Sequence, residues 1–225
     1  MVARGGVVYR ILPQVGLALL LGHELSGPWF GGGHALLLAW AAQALGTHQL
    51  AKRWGDVWTG RWGHVLSMIV AVYLTTRLVG ASSGTPVLNV DALADLGTIA
   101  AALLACRVLG KEKVYYYLTG HAAILALIWR EFVPVSGGHA YVSFLWAVYA
   151  IALLVVGLRS ARPAMWQTAV ATLLLLVGKL FVVDLANLDA IWRILLFMVV
   201  GGGFRALGYA FPKLRKRGAE ADEPS

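Results

Sequence analysis

AYVSFLWAVYAIALLVVGL, residues 140–158, is a stretch of 19 residues with no charged side chain. A helix of about 20 mostly apolar residues is what the ~30 Å hydrocarbon core of a bilayer requires. Its apolar residues run all the way round the helical wheel, which suits a helix covered on every face by lipid or by other helices. Working outward, comparable runs lie near 7–23, 34–51, 63–80, 91–109, 113–130, 164–183 and 190–211, cut apart by Gly, Pro and clusters of charge. None alternates polar and apolar residues as a barrel strand does, so all are read as helices. Eight crossings are expected.

The composition of the whole chain agrees. Of 225 residues, 59% are hydrophobic and 13% charged, and the mean hydropathy is +0.72. A soluble domain carries about 25% charged residues, so a soluble enzyme is excluded for want of polar surface. Disorder is excluded because the chain is far too apolar. The single cysteine, Cys106, rules out a disulfide framework and any CxxC zinc or redox site. HExxH and GxxxxGK[ST] patterns do not occur. The first apolar run follows Arg4 and Arg10, as a leader peptide would. That reading is set aside because no small-residue cleavage pattern follows Gly22 and the segment has a counterpart later in the chain.

Short loops make the Lys/Arg distribution the guide to orientation. Alternate loops hold Arg4 and Arg10; Lys52, Arg53 and Arg61; Arg107, Lys111 and Lys113; Arg159 and Arg162; and Arg205 with the cluster Lys213 to Arg217. Fifteen of the 19 basic residues thus fall on one side, and both termini are expected in the cytoplasm. The net charge of +8 then reflects loops facing anionic lipid, and no nucleic acid is implied. Trp54, Trp58 and Trp62, at i, i+4 and i+8, read as an interfacial anchor in the second cytoplasmic loop.

Seven short matches recur in the same order in the two halves. Val8-Tyr9 matches Val114-Tyr115, and Glu24 falls opposite Glu131. Gly32-Gly33-His34-Ala35 matches Gly137-Gly138-His139-Ala140, and Trp40-Ala41 matches Trp146-Ala147. Arg77-Leu78 falls opposite Lys179-Leu180, and Asn89-Val90-Asp91-Ala92 opposite Asn187-Leu188-Asp189-Ala190. Arg107-Val108-Leu109-Gly110 closes the series against Arg205-Ala206-Leu207-Gly208. The expected architecture is therefore all-α and membrane-integral, with eight transmembrane helices in two parallel four-helix repeats. The repeats cover 1–110 and 111–212, followed by a basic-then-acidic cytoplasmic tail, 213–225, expected to be disordered. An even number of spans per repeat makes the halves parallel, related by an axis along the membrane normal.

The second half carries further features in a fixed order. Gly157-Leu158-Arg159 ends one span, and Lys179-Leu180-Phe181 is followed by Asp184-Leu185. Arg193-Ile194-Leu195 precedes a Gly-rich apolar helix ending at Gly208-Tyr209. This order resembles the bacterial predicted-membrane-protein family known as domain of unknown function 2339 (DUF2339). The resemblance is best over 140–212 and weaker over 34–110, where Asn89 resembles a family Asn at the start of a span. It implies integral location in the bacterial inner membrane and no established chemistry. Typical members are several times longer, so this chain resembles a compact version.

Ionisable groups inside a bilayer are costly, about 2.5–3.5 kcal/mol each at mid-helix on insertion scales. On this topology Glu24, Arg77, Asp91, Asp95, Arg130, Glu131, Lys179, Asp184, Asp189 and Arg193 gather at the outer side. Asp189 and Arg193 stand at i, i+4, the favourable order for an ion pair. Asp91 and Asp95 occupy the equivalent places in the first half, where two like charges need outside partners. Arg77 and Lys179 are expected to approach these carboxylates from neighbouring helices. A binding site for a polar headgroup or solute would draw on Arg77, Asp91, Asp95, Lys179, Asp184, Arg193, Glu24 and Glu131. Against this stands a plainer reading, in which the charges pair with each other and Asn89, Asp91, Asn187 and Asp189 cap helices.

No cofactor or metal is expected. His121 alone lies near mid-membrane, whereas a b-type haem would want two axial ligands. His34 and His139 could join Glu24 and Glu131 around a metal, but read better as residues of helix starts. Gly201-Gly202-Gly203 reads as a close-packing helix face. Three functions remain, in this order. The first is a non-catalytic membrane module binding or stabilising envelope components or a complex. The second is a transporter or lipid-handling protein with an outward-facing polar cavity between the repeats. The third is an enzyme acting on a lipid-linked substrate at the outer face, with Asp91 or Asp95 as base. It ranks last because no nucleophile–base spacing appears. Membrane lipid, other membrane proteins or a second copy are the expected partners.

Overall fold

The computed structural model describes residues 4–25, 33–80, 85–110 and 113–184, with isolated positions at 194, 198, 201–202 and 205. The described residues are helical: α1 (Arg4–Leu25), α2 (His34–Trp54), α3 (Val57–Val79), α4 (Val90–Ala105), α5 (Lys113–Phe132), α6 (Gly138–Arg159) and α7 (Pro163–Lys179). A π-helical turn, Leu180–Asp184, continues α7. Each helix falls on one of the expected apolar runs. The eighth run, 190–211, lies mostly outside the described residues, as does the tail. Val57–Val79, Gly138–Arg159 and Pro163–Val183 are long and apolar enough to cross a membrane, and Ile11–Glu24 is a shorter apolar helix.

By packing, the chain forms two compact units, Met1–Pro134 and Val135–Ser225. The division falls after α5, whereas the repeats expected from the sequence would divide at 110/111, because α5 packs against α4 and α3. In the first unit α2 lies against α3 and α4, α1 lies against α2, and α3 meets α5 over a shorter stretch. The core between them is built from Leu37, Ala41, Val70, Leu74, Ile99 and Leu127, with Trp40 and Tyr73 packed on it. Polar bonds tie α1 to α2. The Trp40 indole donates to the Ala18 carbonyl, Gln43 donates to the Gln14 carbonyl, and the Thr47 hydroxyl lies 2.8 Å from Gln14 Oε1. In lipid such bonds help to hold helices together, because tails are as apolar as the helices themselves.

The α2–α3 connection is shorter than expected. α3 starts at Val57, so only Gly55 and Asp56 link the two helices. Gly55 takes φ 63°, the left-handed conformation that ends a helix abruptly. Asp56 then accepts from the Trp58 and Thr59 N–H groups and from the Thr59 hydroxyl, capping α3. Trp54 therefore ends one helix while Trp58 and Trp62 begin the next, and no continuous Trp stripe forms. Trp54 and Trp58 are exposed at the turn, and Arg61 stacks 4.8 Å over the Trp58 ring. Trp62 packs inward beside Ala18, Ala44 and Leu66.

In the second unit α6 packs along α7. Leu154, Leu158 and Ala169 form its buried cluster, with Trp166 alongside. A Cβ at Gly157 would fall 2.7 Å from the Trp166 backbone nitrogen, so the α6–α7 approach requires glycine there. α2 begins at His34 after the left-handed Gly33 (φ 91°) and α6 at Gly138 after the left-handed Gly137 (φ 73°), so the two Gly-Gly-His segments enter their helices one residue out of step.

Candidate functional site

Helix rise places two polar clusters at the two ends of the first unit. His34 and His48 are 14 residues apart on α2, as are Tyr116 and Arg130 on α5, and His64 and Arg77 are 13 apart on α3. At 1.5 Å per residue these spacings are about 20 Å. Each of these three helices thus contributes to both clusters.

The ionic cluster centres on Asp95 of α4, which is wholly buried. Arg77 Nε donates to Asp95 Oδ1 at 2.7 Å, and Arg130 Nη1 donates to Oδ2. Arg77 Nη2 also donates to Asp91 Oδ1 at 2.7 Å. His34 Nδ1 lies 3.0 Å from that same Nη2 and 3.1 Å from Asp91 Oδ1. A deprotonated Nδ1 accepts from Arg77, and a protonated one donates to Asp91. Arg130 Nε reaches Glu131 Oε1 at 2.9 Å, and Nη1 also donates to the Arg77 carbonyl. Glu131 Oε2 accepts from Asn89 Nδ2 at 2.7 Å and from the Val87 N–H at 3.0 Å. Val87 sits at φ 65°, which is strained for a β-branched residue, and Glu131 holds it there. Asn89 in turn accepts from the Ala92 N–H and so caps α4.

Two guanidinium groups therefore meet three carboxylates in a lattice that closes on itself. Burying one such charge alone would be prohibitive, whereas paired and hydrogen-bonded charges can be accommodated. Arg77 approaches both aspartates from the neighbouring helix, as the sequence implied. Asp91 stands in the first turn of α4 and pairs with Arg77 and His34, while Asn89 supplies the cap. Glu131 joins the same cluster. Glu24 stands apart on α1, largely exposed and paired with His23. Lys179 belongs to the second unit, where its ammonium donates to the His139 carbonyl at 3.0 Å and to Ser143 Oγ at 2.6 Å. It is buried at the point where α7 passes into the π turn. The Asp184 side chain, Asp189 and Arg193 lie outside the described residues.

Arg130 links Asp95 to Glu131 and is the residue most central to the cluster that was not among the expected site residues. Its signal was present: an Arg-Glu pair closing an apolar helix. The second cluster went unforeseen. His48 Nε2 lies 3.0 Å from the Tyr116 hydroxyl and 3.3 Å from Ser67 Oγ, and His64 Nδ1 lies 2.8 Å from the same hydroxyl. A phenol has one proton, so Tyr116 donates to one imidazole and accepts from the other. His48 and His64 are nearly equidistant from the Gly55–Asp56 turn, and folding the hairpin brings them to 4.9 Å between ring centroids. Gly63 leaves the space, since a Cβ there would sit 2.8 Å from the His48 ring.

Among the described residues, no group of three or more His, Cys, Asp or Glu is placed to hold a metal ion. No curated protein and no solved structure matches the chain. A family model described as "Predicted membrane protein (DUF2339)" matches residues 7–214. An all-helical chain with spans of membrane length and ionic groups buried among apolar helices is thus a member of the DUF2339 family of predicted membrane proteins.

Proposed function

We propose that this chain is a non-catalytic module of the bacterial inner membrane that binds or stabilises envelope components or a complex. In this reading it crosses eight times as two parallel four-helix repeats, with both termini in the cytoplasm. The observation that carries the reading is the engagement of the two most deeply buried carboxylates, Asp95 and Glu131. Both oxygens of the wholly buried Asp95 are taken by guanidinium groups, and Glu131 is occupied by Arg130, Asn89 and the Val87 backbone. A carboxylate engaged in this way is poorly placed to act as a base or to meet a solute. It serves well as a fixed cross-brace between α3, α4 and α5.

A second reading, transport or lipid handling through an outward-facing polar cavity, is favoured by one observation. Lys179 is buried where α7 leaves α-helical geometry, and π turns are frequent at functional sites. Asp95→Asn in the full-length chain, expressed in a deletion strain, separates the two. The module reading expects less folded protein in the membrane, with the envelope phenotype scaling to that amount. An Asp95→Asn chain that accumulates and melts like wild type yet fails to restore the strain would contradict it.

A further inference from the structure

The shorter meeting of α3 and α5 leaves an apolar groove in the first unit, of about 690 Å³, walled by α2, α3, α4 and α5. That volume is in the range of small-molecule sites, roughly 300–1,000 Å³. Along α3 it is lined from His64 to Thr76, about 18 Å of helix. This is a little more than one leaflet of a ~30 Å hydrocarbon core. Ala41, Ala71, Ala102 and Gly120 keep the walls low, and three of the four lining threonines turn their hydroxyls back to their own helices. Thr75, Thr76 and Thr98 each donate to a carbonyl of their own helix, at Ala71, Tyr73 and Ala94.

One end of the groove is different. His64, Ser67 and Tyr116 line it there, backed by His48. One helical turn beyond His64 and Tyr116 stand the exposed Arg61 and Lys113, and Lys52 and Arg53 close the same end of α2. Asp56, the described acidic residue at this end, is occupied in capping α3. A positive rim above hydrogen-bonding side chains, leading into an apolar slot one leaflet long, matches one kind of occupant.

We propose that this groove is a binding site for an anionic phospholipid of the surrounding leaflet. One acyl chain fills the slot between α3 and α5, and the phosphate lies at the Arg61–Lys113 rim. The phosphate end of the site is at the opposite end of the unit from the ionic cluster, and the site does not depend on which activity the chain has.

The test uses the full-length chain in nanodiscs containing phosphatidylglycerol with a photoactivatable diazirine in one acyl chain, with phosphatidylcholine carrying the same probe as comparison. Adducts mapped by mass spectrometry should concentrate on the groove walls of α3, α4 and α5 for phosphatidylglycerol. Ala71→Trp and Ala102→Phe, which fill the slot, should remove them while leaving labelling of the exposed Leu19 and Leu20 of α1 unchanged. Arg61→Gln with Lys113→Gln alters only exposed residues, so folding is kept. It should lower the preference for phosphatidylglycerol about tenfold. Equal labelling by both lipids, adducts spread evenly over exposed faces, or adducts that survive slot filling would overturn the proposal. So would protein–protein cross-links from the groove in place of lipid adducts, which would mean that a second copy or the C-terminal unit covers it.

Discussion

Asp95 and Gly63 show how single residues set the two ends of the first unit. Asp95 is tolerable in an apolar interior only because Arg77 and Arg130 neutralise it from two other helices. Gly63 matters for what it lacks. Any side chain there must displace the His48 imidazole, and His48 is the residue that joins α2 to Ser67 and Tyr116. Gly63→Ala is therefore expected to break the His48–Tyr116 contact and lower stability by about 1–3 kcal/mol. A melting curve checks this, with Gly60→Ala as control. At Gly60 an added Cβ makes only an ordinary 3.7 Å contact, so that variant should melt close to wild type.

At the level of elements, what was legible in the sequence and what was not divide along a physical line. Helices were legible because an apolar run of membrane length has few alternatives. The Arg77–Asp91–Asp95 grouping was legible because two carboxylates on one helical face in an apolar setting demand a cation. The His48–His64–Tyr116 cluster was not, since its members are far apart in sequence and depend on the length of one turn. Reading that turn as a loop reaching to residue 63, rather than as Gly55–Asp56, hid the mirror placement of the two histidines. The turn itself rests on one cap. Asp56→Ala should cost about 1 kcal/mol, read as a lowered melting temperature with helical content retained. A variant as stable as wild type would show that the turn does not depend on its cap.

At the scale of the molecule, the ionic groups at one end of the first unit and the basic rim at the other define an axis. In the topology proposed above, the Lys/Arg asymmetry of the loops turns the basic rim toward the cytoplasm. The second unit offers a simple check, because α6 runs for 22 residues between Ser136 and Ser160, both exposed. In a Cys106→Ser background, Ser136→Cys should react with a membrane-impermeant maleimide on intact cells. Ser160→Cys should react only after permeabilisation. The reverse pattern would invert the topology, and equal reactivity at both positions would deny that α6 crosses.

The buried ions of three helices form one structural lattice. A double-mutant cycle on Asp95→Asn and Arg130→Gln, read from unfolding of the purified chain in mixed micelles, tests it most directly. Each single variant leaves a buried partner uncompensated and is expected to cost about 3–5 kcal/mol. The double variant should cost clearly less than the two together, with a coupling of at least about 2 kcal/mol. Small and additive effects would contradict the account, because they would mean that Asp95 and Arg130 do not brace one another in the folded protein.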